Sequence, residues 1–277
     1  MNQTITNQEY KITWITSFMR MWAISLRHLR QMRRDIGKFI HVFYWPFLDI
    51  LLWGFTAQWV QHSYAHQAKF SLAFLTALIA WQLVARASLD VSTHLLEDIM
   101  DHNIVNIFAT PLSIWEWTGG IFLLSFIYLF SLTIFCVMVI ELLYHLNILS
   151  AGIMLAPFAF NLIITGFFIG FASAGFLIYL GRRALGFIYM MGYFFAPFSG
   201  AFYPIEILPE WLKIIAQALP FSYAIEGIRQ LVQTGHFSWY LFGISFIMSA
   251  IYFVIFFAFF MWMFHCSVKK GLARLSD

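Results

Sequence analysis

From Ile244 to Met263 the chain reads ISFIMSAIYFVIFFAFFMWM, twenty residues with no Asp, Glu, Lys, Arg or His. A helix needs about 20 mostly apolar residues to cross roughly 30 Å of hydrocarbon. Inside lipid the backbone polar groups are satisfied only in helices or closed barrels. The run lacks the apolar–polar alternation of a lipid-facing barrel strand, so a helix is expected. Comparable stretches recur, and six spans are expected, over residues 37–61, 70–91, 117–144, 151–180, 184–200 (a short one) and 240–266. Composition agrees, because only 10% of the 277 residues are charged and 61% are hydrophobic, whereas a soluble domain is about a quarter charged. A soluble enzyme and a disordered chain are excluded, and two cysteines cannot build a disulfide framework. The expected fold class is an all-α polytopic membrane protein.

An even number of spans puts both termini on one side. Seven of the 16 Lys/Arg residues precede position 40, and Lys269, Lys270 and Arg274 end the chain. With Arg86, Arg182 and Arg183 this assigns 13 basic residues to one side and leaves Lys69, Lys213 and Arg229 for the other. By the positive-inside rule both termini are expected in the cytoplasm, in a cell membrane such as the bacterial inner membrane. No short apolar core followed by a small-residue cleavage site opens the chain, so no removable signal peptide is expected. The clustered charge is a topology signal and predicts no nucleic-acid partner.

Three segments are not spans. Residues 1–36 form a cytoplasmic segment in which residues 14–36 predict an amphipathic helix. At 100° per residue Trp14, Phe18, Met21, Trp22, Leu29, Met32 and Ile36 share one arc, and Arg20, Arg27, Arg30 and Arg34 share another. That pattern fits a helix on the membrane surface with its basic side chains toward anionic headgroups. Residues 92–116 form a polar loop with Glu97, Asp98, Asp101, His102, Asn103 and Asn106, and carry no Lys or Arg. Either a partner shapes this loop or its acids only keep it solvated. Residues 200–237 are divided by Pro204, Pro209 and Pro220, each disfavouring helix just before it. Two short helices are expected there, one starting after Pro209 and one carrying Glu226 and Arg229, as a re-entrant hairpin in the outer leaflet. The six-helix domain covers 37–266 and a cytoplasmic tail covers 267–277.

No HExxH, GxSxG or Gly-rich loop ending in Gly-Lys-Ser/Thr is present. No ATP site or cofactor is expected in this chain, and its nine His residues show no ligand cluster. Ser199 and His265, the one conceivable protease pair, fall on opposite sides of the membrane in this topology. Ionisable residues within spans are functional candidates. Asp49 follows Trp45-Pro46 and either lines a pathway, pairs with Arg86, or sits near an interface in a tilted span. Glu141 is expected at the interface, and Arg86 can snorkel to headgroups. Gly166, Gly170, Ala172, Ser173, Ala174 and Gly175 predict close helix packing.

Two local patterns resemble the membrane subunit of ABC-2 type ABC exporters. The first is Leu95-Leu96-Glu97-Asp98 leading to Ile107-Phe108-Ala109-Thr110-Pro111-Leu112-Ser113. The second is Ser199-Gly200-Ala201-Phe202-Tyr203-Pro204, then Leu208-Pro209, Pro220-Phe221-Ser222-Tyr223 and Glu226-Gly227-Ile228-Arg229. With the surface helix and the spans, the resemblance covers nearly the whole chain. It implies a homodimer paired with two copies of an ABC ATP-binding subunit, which would hold ATP and Mg. It further implies alternating access, spans one, two and five lining the path, and export of an apolar, lipid-like or drug-like substrate. Glu97, Asp98, Asn103, Thr110, Pro111 and Ser113 are then implied in coupling to the ATPase. Tyr203, Pro204, Pro209, Pro220, Glu226 and Arg229 are implied in an outer gate. The missing Lys/Arg in residues 92–116 departs from the family pattern. The alternatives are an ion-coupled secondary transporter, with Asp49 as its candidate residue, and an intramembrane enzyme.

Overall fold

The computed structural model describes residues 14–63, 69–101 and 104–271. Among them there are ten α-helices and no strand: α1 (Trp14–Arg34), α2 (Ile36–Ser63), α3 (Phe70–Met100), α4 (Ile104–Ala109), α5 (Ile114–Tyr144), α6 (Leu155–Leu180), α7 (Leu185–Phe194), α8 (Glu210–Gln217), α9 (Pro220–Thr234) and α10 (Trp239–Lys269). Among the described residues four helices are long and apolar enough to cross a membrane: α3, α5, α10 and the stretch Gly152–Leu180 that contains α6. The chain is thus an all-α, multi-pass membrane protein.

The other two expected spans differ in instructive ways. Helix α2 has 28 residues, about 42 Å at 1.5 Å per residue, but it carries polar side chains among its apolar ones, with Asp49 half-buried within it. The fifth expected span is interrupted. Helix α7 ends at Phe194, and a 3-10 turn over Ala196–Phe198 follows. Pro197 removes a backbone donor where the helix would continue.

Helices α3 and α6 form the buried centre. A Cβ on Gly166 would lie 2.5 Å from Ala87 Cβ and 2.6 Å from the Val84 carbonyl oxygen, so the α3 backbone occupies the space a larger residue would fill. The small residues of α6 are therefore packing residues. Helix α10 is largely exposed and is fastened to α6 by buried polar rungs. Asn161 Nδ2 donates to Ser245 Oγ (2.5 Å), Thr165 Oγ1 and Ser249 Oγ share a bond (2.9 Å), and Ser267 Oγ donates to the Ile178 carbonyl (2.7 Å). Where lipid offers no hydrophobic drive between helices, such bonds and close packing supply the association.

Two apolar clusters mark the ends of the bundle. One joins Ile24, Ile99, Ile104, Ile114, Trp117, Ala184 and Phe264. It gathers α1, the α3–α5 connection, the α6–α7 turn and the end of α10. The other joins Ala73, Phe158, Ala201, Phe221, Ile225 and Val232, and gathers the start of α3 with α9. The segments expected on the cytoplasmic side thus share one end of the molecule. Glu141 is exposed in the last turn of α5, and Cys136 and Cys266 are free.

The hairpin region consists of two helices too short to span. Helix α8 has eight residues and follows Pro209, and α9 has fifteen and takes Pro220 at its first turn. Proline suits that position because its missing N–H is unneeded there.

Candidate functional site

The polar stretch 92–116 is not a solvated loop. Residues 92–100 continue α3 for more than two turns, and Ser92, His94 and Asp98 are buried. Helix α4 follows, with Ile104 buried and Phe108 edge-on to Phe264 at 5.0 Å. Val105, Asn106, Ala109, Thr110 and Pro111 face outward. Thr110 Oγ1 donates to the Ile107 carbonyl (2.6 Å), closing the helix. Ser113 caps α5: its Oγ accepts from Glu116 N (3.1 Å), while Ser113 N donates to Glu116 Oε2 (3.0 Å).

Asp98 and Glu116 take their partners from α1, so two of the four arginines expected toward headgroups, Arg20 and Arg27, are turned to carboxylates of the protein, while Arg30 and Arg34 stay exposed. Arg27 Nη2 donates to Asp98 Oδ1 (2.5 Å), and the indole of Trp117 donates to Asp98 Oδ2 (3.0 Å). Arg20 Nη1 reaches both Glu116 oxygens at 3.3 Å and donates to the Pro111 carbonyl at 2.8 Å. Ser17 Oγ donates to Glu116 Oε1 (2.8 Å), and Ser25 Oγ donates to the Gly120 carbonyl (2.6 Å). Helix α1 therefore lies on the start of α5 as a clamp. Its opposite face leaves Trp14, Ile15, Phe18, Met19 and Trp22 exposed.

Beside the clamp is a group that the sequence reading missed. The rings of His28 and His94 lie 4.5 Å apart between centroids, with their planes tilted by 51°, and Glu97 lies against both. Burial lowers the His28 pKa below its ordinary value. The spacing His94–Glu97, one helical turn, was legible; the arrival of His28 from another helix was not.

A cavity of about 840 Å³ opens next to these residues, lined by Trp45, Asp49, Arg86, Tyr128, Tyr189 and Tyr193 among others. Asp49 accepts from Gln82 Nε2 at 2.6 Å. It does not pair with Arg86, which instead lies 2.9 Å from Asp90 on the next turn of α3. Asp90 is fully buried and was not a sequence candidate, although its i,i+4 spacing from Arg86 was visible. Arg86 also lies 5.9 Å from the Tyr128 ring centre, so it is held inward and does not snorkel.

At the other end the hairpin residues meet. Arg229 donates to Glu226 and to the Gly200 carbonyl. Gly200 has φ +75°, a conformation that favours glycine. Tyr203 OH donates to the Pro197 carbonyl (2.8 Å), and Ser222 Oγ contacts the Phe198 and Ala216 carbonyls (3.0 and 2.7 Å). Pro204, Pro209 and Pro220 set extended entries and helix starts around this knot.

Of the remaining candidates, Asn103 lies outside the described residues. Ser199 Oγ donates to the Ala196 carbonyl and His265 Nδ1 contacts the Met261 carbonyl, each within its own turn. No protein-family model and no curated protein matches this chain.

Proposed function

We propose that this chain is the membrane subunit of an ATP-driven exporter of the ABC-2 type. In this reading two copies form a homodimer in a cell membrane and engage two separate ATP-binding subunits, which hold ATP and Mg. Helix α2, and α7 together with the 3-10 turn that follows it, complete six spans in this reading, and both termini are cytoplasmic. The observation that carries the reading is α4. It is a short helix whose inner face is anchored by Ile104 and Phe108, while Asn106, Thr110 and Pro111 face outward. A rigidly footed helix with a free outer face at the end of a bundle is the form a mechanical contact with a cytoplasmic motor needs.

Asp98 and Glu116 take a supporting role: they hold the footing of α4 through Arg27 and Arg20. The cavity is lined by α1, α2, α3, α5 and α7; helices α2, α3 and α7, spans one, two and five of this reading, supply part of that wall. Its volume falls within the roughly 300–1,000 Å³ of small-molecule sites. Trp45, Tyr128, Tyr189 and Tyr193 suit an apolar, lipid-like or drug-like substrate. The hairpin, tied by Arg229 to Gly200, would close the outer side.

Co-purification in mild detergent tests the reading, using Thr110→Arg and Asn106→Arg on the exposed face of α4. A separate ATP-binding subunit should accompany the wild-type chain and be lost from both variants, which should remain folded. A wild-type chain that carries no such subunit, in detergent and in native membranes, overturns it. The Asp49–Gln82 contact on the cavity wall favours a second reading, ion-coupled transport, in which Asp49→Asn abolishes ion-dependent flux.

A further inference from the structure

We propose that His28, His94 and Glu97 form a binding site for a divalent transition metal, with zinc the fitting ion, whose fourth coordination position opens toward the cavity. The site needs no ATPase and no assumption about transport.

One ligand atom from each residue lies within 4.8 Å of the others. His94 and Glu97 stand one helical turn apart on α3, and His28 approaches from α1. Glu97 Oε2 lies 3.3 Å from His94 Nδ1, within hydrogen-bond reach, and 3.6 Å from His28 Nδ1. A separation of 3.6 Å is too long for a hydrogen bond. Two ligands of a tetrahedral zinc, each at about 2.0–2.1 Å from the ion, sit about 3.4 Å from each other. The two Glu97–imidazole separations are therefore close to a coordination edge, and all three ligand atoms lie within 4.8 Å of one another.

The ring nitrogen of His28 adds a second observation. His28 Nδ1 and His94 Nε2 are buried without a hydrogen-bond partner, in residues only 2% and 6% exposed. An unpartnered buried polar atom costs free energy; a metal ion at Nδ1 gives His28 Nδ1 a partner, while His94 Nε2 lies on the far side of its ring from Glu97 and is not a ligand in this arrangement. Two imidazoles and one carboxylate suit zinc and leave a position for water or ligand. All three residues line the cavity. Arg27 Nη2 lies 2.9 Å from His28 Nε2. A metal on Nδ1 places the ring proton on Nε2, so loading turns Arg27 away from His28 and wholly toward Asp98. The ion would then bind α1 to α3 beside the clamp.

The test uses the full chain in detergent, stripped of metal by chelation, given zinc chloride and passed through gel filtration. Metal content is read by mass spectrometry, and cobalt(II) substitution is followed by visible absorption. The wild type and His236→Ala, an exposed control, should each retain one zinc per chain and give a tetrahedral cobalt spectrum. His28→Ala, His94→Ala and Glu97→Gln should each weaken zinc binding by at least about 100-fold, since even outer-shell losses cost about 10–100-fold. His28 and His94 are buried, so their alanine variants can lose the fold. Glu97→Gln is partly exposed and nearly isosteric, and it decides alone if they aggregate. A wild type that retains no zinc overturns the proposal, as does retention that Glu97→Gln leaves unchanged.

Discussion

Asp98→Asn is the sharpest single test of the clamp between α1 and the α3–α5 connection. The Asp98 side chain is 4% exposed and receives a guanidinium at 2.5 Å and an indole N–H at 3.0 Å. Removing one partner of a buried pair costs about 3–5 kcal/mol. The Arg27 side chain keeps 28% of its surface in solvent, so part of its charge is rehydrated and screened once Asp98 is neutral. That brings the expected loss to about 2 kcal/mol, with the indole bond retained by the asparagine oxygen. Asp98→Leu also leaves the Trp117 N–H unpaired, which adds about 1–3 kcal/mol. The assay is reversible unfolding in detergent for the wild type, Asp98→Asn, Arg27→Met and the double variant. The double-mutant cycle should give a coupling of about 1–2 kcal/mol, within the range for residues in direct contact. Additivity within about 0.5 kcal/mol would refute the clamp as an energetic unit.

Other outcomes follow from the same contacts. Pro111→Ala should change stability little, because Arg20 uses the Pro111 carbonyl, whereas Arg20→Ala should free α1 and raise protease sensitivity near residue 20. Gly166→Leu should cost about 1–3 kcal/mol by overpacking against Val84 and Ala87, read as a lower melting temperature. Asn161→Leu should cost about 0.6–1.7 kcal/mol through its lost bond to Ser245, the range found for hydrogen bonds between membrane helices. Arg229→Gln should loosen the hairpin, seen as faster labelling of a cysteine placed at Ala201, which is fully buried in the intact structure.

The long apolar helices were readable because each is its own evidence: Ile244–Met263 contains nothing that another segment must neutralise. The helix starts after Pro209 and at Pro220 were readable for a similar local reason, since proline restricts its own φ and the residue before it. The failures share a cause too. Residues 92–100 look like loop because Glu97 and Asp98 raise polarity, yet they stay helical and packed because Arg27 and His28, some 70 positions earlier, meet them. Asp49 has Gln82 and Arg86 has Asp90, pairings that depend on helix rotation rather than on which charges occur. His28, His94 and Glu97 come together only when α1 packs across α3. Contacts of that range leave no periodicity in the sequence.

The clamp also has a timetable. Arg20 and Glu116 are separated by 96 positions, and Arg27 and Asp98 by 71. At about 5–20 residues per second of synthesis, the first helix waits several seconds for either acid to exist. Neither ion pair can form before that interval has passed, so the N-terminal helix is made well before the acids that hold it against the start of α5.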